Sequence, residues 1–303
     1  MTKNDKQQHT MNRGNSTNKF VRVLTPICYS VIGFFTFVGL LWAEILILNQ
    51  LGFVTDKIGL EIKIQDILVG FLIYMKTSID FAIFISVLMK NYPGLKNRFA
   101  IEFGTGLGNV LGTMVVLAIW IVFKEVGILL ALMILIASLV LLQMADGAVE
   151  HLNEVDHDND DGVKVEQWQK SVANYIHFLL APVLKVISPV ISKIIPKISM
   201  KDDKHVAKKT FVQLFVLSMS VPFILGLDDF AGYVPAFNIF NVFGFGIGVI
   251  LGHSLLNVAL FLSPKLTIKI VKNPNIALLG AIAFIGLALY GFYETIKILL
   301  KLH

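Results

Sequence analysis

The sequence predicts an all-α polytopic membrane protein, and three observations carry that prediction. The chain has 303 residues, of which 55% are hydrophobic and only 16% charged, whereas a soluble domain usually carries about 25% charged residues. Its apolar residues come in blocks of about 20 or more, the length that crosses a hydrocarbon core of roughly 30 Å. The blocks are continuous. A membrane β-barrel would instead alternate lipid-facing and lumen-facing residues over about 10 positions per strand. An ordinary soluble enzyme is excluded on the same grounds. The single cysteine, Cys28, allows neither an intramolecular disulfide nor a thiolate metal cluster. A net charge of +5 is read as a topology signal, because lysines flank membrane spans. No nucleic-acid partner is expected; the bilayer is the partner.

Residues 1–24 are rich in Asn, Lys, Gln and Thr and nearly devoid of apolar side chains, which predicts a disordered cytoplasmic tail. About seven transmembrane helices follow, at 25–48, 66–89, 99–123, 126–145, 210–229, 236–262 and 276–297. The first is too long for a signal peptide and has no small-residue cleavage site after it, so it is read as an N-terminal anchor helix. Placing the N-terminus in the cytoplasm puts 20 Lys and Arg residues inside and five outside, the sense of the positive-inside rule. The predicted localisation is a multi-pass protein of the cytoplasmic membrane, with 146–209 also cytoplasmic. Within that segment, 172–198 is apolar but carries Lys185, Lys193 and Lys197, each costly near the bilayer centre. Pro182, Pro189 and Pro196 recur every seven residues and are expected to interrupt a helix. A segment lying on the inner leaflet is preferred to a further span.

The third and sixth spans carry one signature. Phe103-Gly104-Thr105-Gly106-Leu107-Gly108-Asn109-Val110-Leu111-Gly112 aligns without gaps to Phe243-Gly244-Phe245-Gly246-Ile247-Gly248-Val249-Ile250-Leu251-Gly252, with six of ten positions identical. Upstream, Ile79-Asp80-Phe81-Ala82 matches Asp228-Asp229-Phe230-Ala231. An Asp-bearing span, a Gly-rich span and a plain apolar span therefore occur twice in the same order. Three spans is an odd number, so the second copy is inverted in the membrane, the architecture of many secondary transporters. The expected units are repeat 1 at 66–145 and repeat 2 at 210–297. Glycines at i, i+2, i+4 and i+8 are expected to clear one helix face for close approach.

Asp80 stands mid-span, and Asp228 and Asp229 end the matching span beyond Pro222 and Gly226. Ionisable groups at that depth face a bundle interior or a watery cavity and are functional candidates by default. With Thr77, Ser78, Ser218 and Ser220 nearby in sequence, they make an oxygen-rich set suited to a hard cation such as Mg²⁺, Ca²⁺ or Mn²⁺. Plainer readings stand beside this one. Lys76 and Asp80 share a helix face and can neutralise each other, and Asp228 and Asp229 can sit in water at the outer interface. His253, inside the sixth span, reads first as a hydrogen-bonded packing residue and second as a metal ligand or proton carrier. Glu44, Glu102 and Glu294 lie near span ends, where reaching out to water is the default, and Glu102, directly before the first Gly motif, is the one of the three to test.

Asp156-His157-Asp158-Asn159-Asp160-Asp161-Gly162 resembles the start of a calcium loop. Its glycine arrives one position late, however, and Gln167 stands where the bidentate Glu is needed. A solvated charged loop is the expectation, with a low-affinity cation collector as the alternative. No phosphate-binding Gly-Lys loop, zinc-protease helix or nucleophile elbow occurs in the chain. Neither enzymatic activity nor a bound cofactor is therefore expected.

Gly226-Leu227-Asp228-Asp229-Phe230-Ala231-Gly232-Tyr233-Val234-Pro235 and Thr77-Ser78-Ile79-Asp80 are similar to motifs of the LysE/TerC-type membrane exporter superfamily, nearest its cadmium-resistance transporter branch. The resemblance covers about 66–145 and 210–297. It implies two inverted three-helix repeats and export of a cation, with Asp80 and Asp228 carried over. Phe81 replaces the second Asp of the family's first motif, and Asp229 replaces Asn in the second. A soft ion such as cadmium favours thiolates, so the substrate is not carried over.

The combined expectation is a divalent-cation exporter, possible as a homo-oligomer, with Asp80, Asp228, Asp229, Thr77, Ser78 and His253 around the ion. An exporter of a small organic solute such as an amino acid is one alternative. A non-transporting membrane scaffold with an acidic cytoplasmic loop is the other.

Overall fold

A computed structural model describes residues 3–154, 165–194, 209–225, 233–263, 266–267, 270 and 273–302. Every long element among them is an α-helix: α1 (Lys3–Leu48), α2 (Ile64–Thr77), α3 (Ile79–Asn91), α4 (Leu95–Lys124), α5 (Gly127–Glu154), α6 (Gln167–Ile194), α7 (Phe211–Leu225), α8 (Val242–Leu262) and α9 (Pro274–Leu302). Five of these contain stretches long and apolar enough to cross a membrane: Ile27–Leu48, Leu95–Lys124, Gly127–Glu150, Val242–Leu262 and Pro274–Leu302. The outer surface agrees with that reading. Phe35, Ile64, Leu72, Leu279 and Leu300 are more than 60% exposed, and a soluble monomer does not leave so much large apolar surface in water. The chain is a multi-pass membrane protein in architecture.

Several boundaries differ from the expected ones, each for a local reason. The span expected at 66–89 is divided into α2 and α3 at Ser78, and the one expected at 210–229 is described as helix only over Phe211–Leu225. The sixth span starts at Val242 rather than 236, because the Asn241 side chain accepts hydrogen bonds from the Phe243 and Gly244 amides (3.0 and 3.1 Å) and so caps the helix there. Residues 233–237 form a separate short helical turn before it. Pro274 opens α9, where its missing N–H costs nothing. Helix α1 begins at Lys3, so 3–24, expected as a disordered tail, continue the helix that forms the first span. The Lys and Gln of this stretch are good helix formers, and the long apolar helix that follows them supplies the nucleus. Helix α6 runs unbroken through Pro182 and Pro189, contrary to the expected interruption. Each proline deletes one ladder bond, and the buried stripe Ala173, Ile176, Leu180 and Leu184 holds the helix against its neighbours. The acidic run 156–162 lies outside the described residues.

The helices pack in three intimate pairs: α2 with α8, α4 with α7, and α5 with α9. Helix α1 lies against α8 and α4, and α6 covers α5 and touches α9. Connections gather at two ends. At one, the 49–63 loop is pinned by Asn49, whose amide bonds both the N–H and the C=O of Ile58 (2.8 and 2.9 Å). The same loop is tied to the α4–α5 turn by Glu125, which accepts from the Thr55 hydroxyl (2.7 Å) and amide. It reaches the start of α8 through the Asn241 side chain, which donates to the Gly59 carbonyl (2.8 Å). At the other end, Gln169 of α6 donates to Asn275 of α9 (2.7 Å), and His177 meets Asp146 of α5 (2.7 Å).

The glycines explain how the pairs come so close. A methyl group at Gly104 would lie 2.7 Å from the Phe215 carbonyl oxygen, and one at Gly108 would collide with the Met219 backbone, so these two open α4 to α7. In α8, methyl groups at Gly244, Gly248 and Gly252 would meet Asp66, the Ile67 backbone and Tyr74, so these open α8 to α2. The intervening glycines do something else. Gly106 receives the Phe37 ring of α1, and Gly246 receives Leu41 of α1. The expectation of one cleared face is therefore corrected. Positions i and i+2 are about 200° apart around a helix, so the G-x-G-x-G run clears two faces, one for the partner helix and one for α1.

Candidate functional site

The α2–α3 break sits at Ser78, whose φ of −83° and ψ of 14° leave the helical range. Its cause is local. The Thr77 hydroxyl donates to the Tyr74 carbonyl (3.1 Å), and the Ser78 hydroxyl lies 3.3 Å from the Met75 carbonyl. Side-chain hydroxyls that return to the preceding turn compete with the backbone ladder and bend it. Thr77 and Ser78 thus act on the helix itself, and Ser78 is buried.

Opposite the break stands the centre of α8. Gly252 admits the Tyr74 ring so closely that a methyl group in place of its hydrogen would lie 2.8 Å from Tyr74 Cδ1. The next residue, His253, therefore meets that tyrosine edge-on. Tyr74 Oη and His253 Nδ1 are 2.8 Å apart, and Asn257, one turn on, donates its amide Nδ2 to His253 Nε2 at 2.8 Å. With Nε2 accepting, the neutral ring carries its proton on Nδ1 and donates to the tyrosine oxygen. Phe81, one residue past Asp80, covers the ring at a centroid distance of 5.5 Å. His253 is 2% exposed. Both nitrogens are engaged, the arrangement of a hydrogen-bonded packing histidine. It becomes a ligand only by releasing Tyr74 or Asn257.

Asp80 is the second residue of α3, two residues beyond the break, and its side chain lies outside the described set. Asp228 and Asp229 also lie outside the described residues. Among the described residues no group of three or more His, Cys, Asp or Glu side chains is gathered as a metal would require. What the fold brings to His253 is Tyr74 and Phe81, which flank the Thr77–Ser78 break, together with Asn257.

The sequence reading of Glu102 is corrected. Its side chain does not reach water: it is 5% exposed and accepts a hydrogen bond from the Ser30 hydroxyl of α1. Helix α4 begins at Leu95, so Glu102 lies two turns inside it, and α1 closes over it. Glu294, by contrast, pairs with Lys297 (3.2 Å) near the end of α9, as the span-end reading expects. Asp66, Tyr74, Asn109 and Asn257 are buried polar residues that the sequence reading did not select. Asn257 had a usable signal, since it stands four residues after His253 on the same helix face. Tyr74 had none, because only the α2–α8 contact brings it to the histidine.

Comparison with family models, with curated proteins and with solved structures returned no match.

Proposed function

We propose that the protein is a membrane transporter built from two inverted three-helix units, α2–α3/α4/α5 and α7/α8/α9, and that it exports a divalent cation. The observation that carries this reading is the crossed pattern of packing. The first helix of each unit packs on the second of the other, and the third helices pack on each other. A two-fold relation between the two units accounts for that reciprocal pattern, and three helices per unit put its axis in the membrane plane. The glycines support it in detail: Gly104 and Gly108 receive α7 as Gly244 and Gly248 receive α2, and the equivalent pair Gly106 and Gly246 both receive α1.

Inverted-repeat carriers bind their cargo where broken helices meet near the midplane. The break at Ser78 is read as one of this kind, and Asp80 stands two residues beyond it. In the matching unit, Pro222, Gly226, Asp228 and Asp229 are the corresponding sequence. Asp80 and the Asp228–Asp229 pair supply the charge, and Thr77 and Ser78 supply oxygens and the kink. Exchange with protons or the membrane potential drives export, since an intramembrane carboxylate can hold a cation and then a proton.

The test is metal tolerance and metal uptake in cells lacking the protein or overproducing it, with Asp80→Asn and Asp228→Asn variants. A cation whose tolerance moves in opposite directions in the two strains, with the effect lost in either variant, is the expected result. If no cation does so, the carrier reading fails. If deletion of 150–166 alone abolishes the phenotype while both Asp variants remain normal, a scaffold with an acidic loop replaces it.

A further inference from the structure

A narrow crevice lies on the far side of the His253–Asn257 pair, between α1, α4 and α8. Tyr29, Ser30 and Phe37 wall it from α1, Glu102 from α4, and His253 and Asn257 from α8. It is wide enough only for a water-sized guest. Its polar groups are unevenly satisfied. The Ser30 hydroxyl spends its proton on the Glu102 carboxylate, which leaves the serine lone pairs available. Asn257 is 1% exposed and gives Nδ2 to His253, while its Oδ1 is buried with no hydrogen-bond partner among the described residues. A buried amide oxygen in that condition is costly and calls for a donor or a cation.

We propose that this crevice binds one small monovalent cation, a proton or a sodium ion, between the Glu102 carboxylate, the Ser30 hydroxyl and the Asn257 amide oxygen. The size of the crevice excludes organic cations. Its single carboxylate matches one positive charge, and a divalent ion would leave an excess charge in a medium of low dielectric. The other titratable groups lining it are Tyr29 on α1 and His253 on α8. Arg98, one turn before Glu102 on α4, lies over the Phe261 ring at 4.3 Å. Phe37 and Tyr29 line the crevice from α1 and shield it from lipid. The site also gives α1 a role, because Ser30 comes from a helix that belongs to neither three-helix unit. Its use as the coupling-ion site rests on the transporter reading above, but its existence does not.

The experiment uses the full chain in lipid nanodiscs without any metal cargo. Sodium chloride replaces choline chloride at constant ionic strength in weak buffer. Infrared difference spectra follow the protonated-carboxyl and carboxylate bands, and a pH dye follows released protons. If both cations share the site, sodium discharges the protonated band and releases about one proton per chain. A band that titrates with pH but ignores sodium identifies a proton site, and a carboxylate shift with sodium but no proton release identifies a sodium site. Each of these signals must vanish in Glu102→Gln. Removing the charged hydrogen bond in Ser30→Ala should move the midpoint roughly tenfold. If neither titration gives a signal that Glu102→Gln removes, the proposal is overturned. Should that variant fail to fold, unchanged midpoints in both Ser30→Ala and Asn257→Leu overturn it instead. Because no cargo is present, failure here and failure of metal export are separate results.

Discussion

At the residue scale, glycine and histidine decide how tightly the bundle closes. Gly108→Ala places a methyl against the Met219 backbone, whereas Gly39 has nothing within 4 Å of such a methyl. A backbone cannot move aside as a side-chain tip can. Gly108→Ala should therefore destabilise the protein by about 1–3 kcal/mol or more, while Gly39→Ala should leave the melting temperature in detergent unchanged or raise it slightly. Equal melting temperatures for the two variants would refute the close α4–α7 approach. His253 poses the complementary case. His253→Leu removes the ring nitrogen that meets the Tyr74 hydroxyl and the acceptor of the Asn257 Nδ2 donor, at about 1–3 kcal/mol for a buried donor whose acceptor is lost. Adding Tyr74→Phe to His253→Leu should then cost less than Tyr74→Phe in the wild type. A double-mutant cycle on thermal stability reads that difference, and strict additivity would mean that the tyrosine does not depend on the histidine.

At the element scale, the 49–63 loop is held by side chains rather than by secondary structure. Glu125 joins it to the α4–α5 turn, and the Thr55 hydrogen bond holds its carboxyl below the usual glutamate range despite partial desolvation. The folded value is depressed, so the contribution is fully present above the unfolded pKa of about 4.3 and is lost as pH falls through the lower folded value. The protection of the 54–58 amides, taken relative to intrinsic exchange at each pH, should fall across that acid window in the wild type. Thr55→Val should exchange faster at neutral pH and lose the acid dependence. A wild-type loop whose protection does not change with pH would remove Glu125 as the anchor.

The whole molecule is defined by which helices cross which. The α5–α9 pair is the contact least foreseeable from adjacency in the chain, and it offers a direct check. A methyl group at Gly291 would collide with Ser138 Oγ and lie 3.3 Å from Ser138 Cβ, close to the Cβ separation of about 3.8 Å that a disulfide needs. With Cys28→Ser to clear the background, the pair Ser138→Cys and Gly291→Cys should cross-link in membranes under mild oxidant and shift the gel mobility of the intact chain. A pairing of third helices inside separate units, with no contact between them, would give no cross-link.

Much of this architecture was legible in the sequence, because a bilayer reduces the problem to the lengths of apolar blocks. Five of the seven expected spans coincide with helices long enough to cross, and the duplicated Gly signature marked the two helices that meet α1 and their partners. The break at 78 was less legible, since two hydroxyl residues in an apolar run leave a hydropathy profile almost unchanged. Glu102 was misread for a related reason: nearness to a span end in the sequence says nothing about whether another helix covers that end. Composition and periodicity determined that the chain lies in a membrane, how its apolar blocks are ordered and where small residues permit contact. The tertiary structure alone decided that α1 closes over Glu102, that Tyr74 meets His253 across 179 positions of chain, and that the glycines serve two faces. Those facts depend on helix rotation and on partners distant in the chain, and a local pattern of residues carries neither.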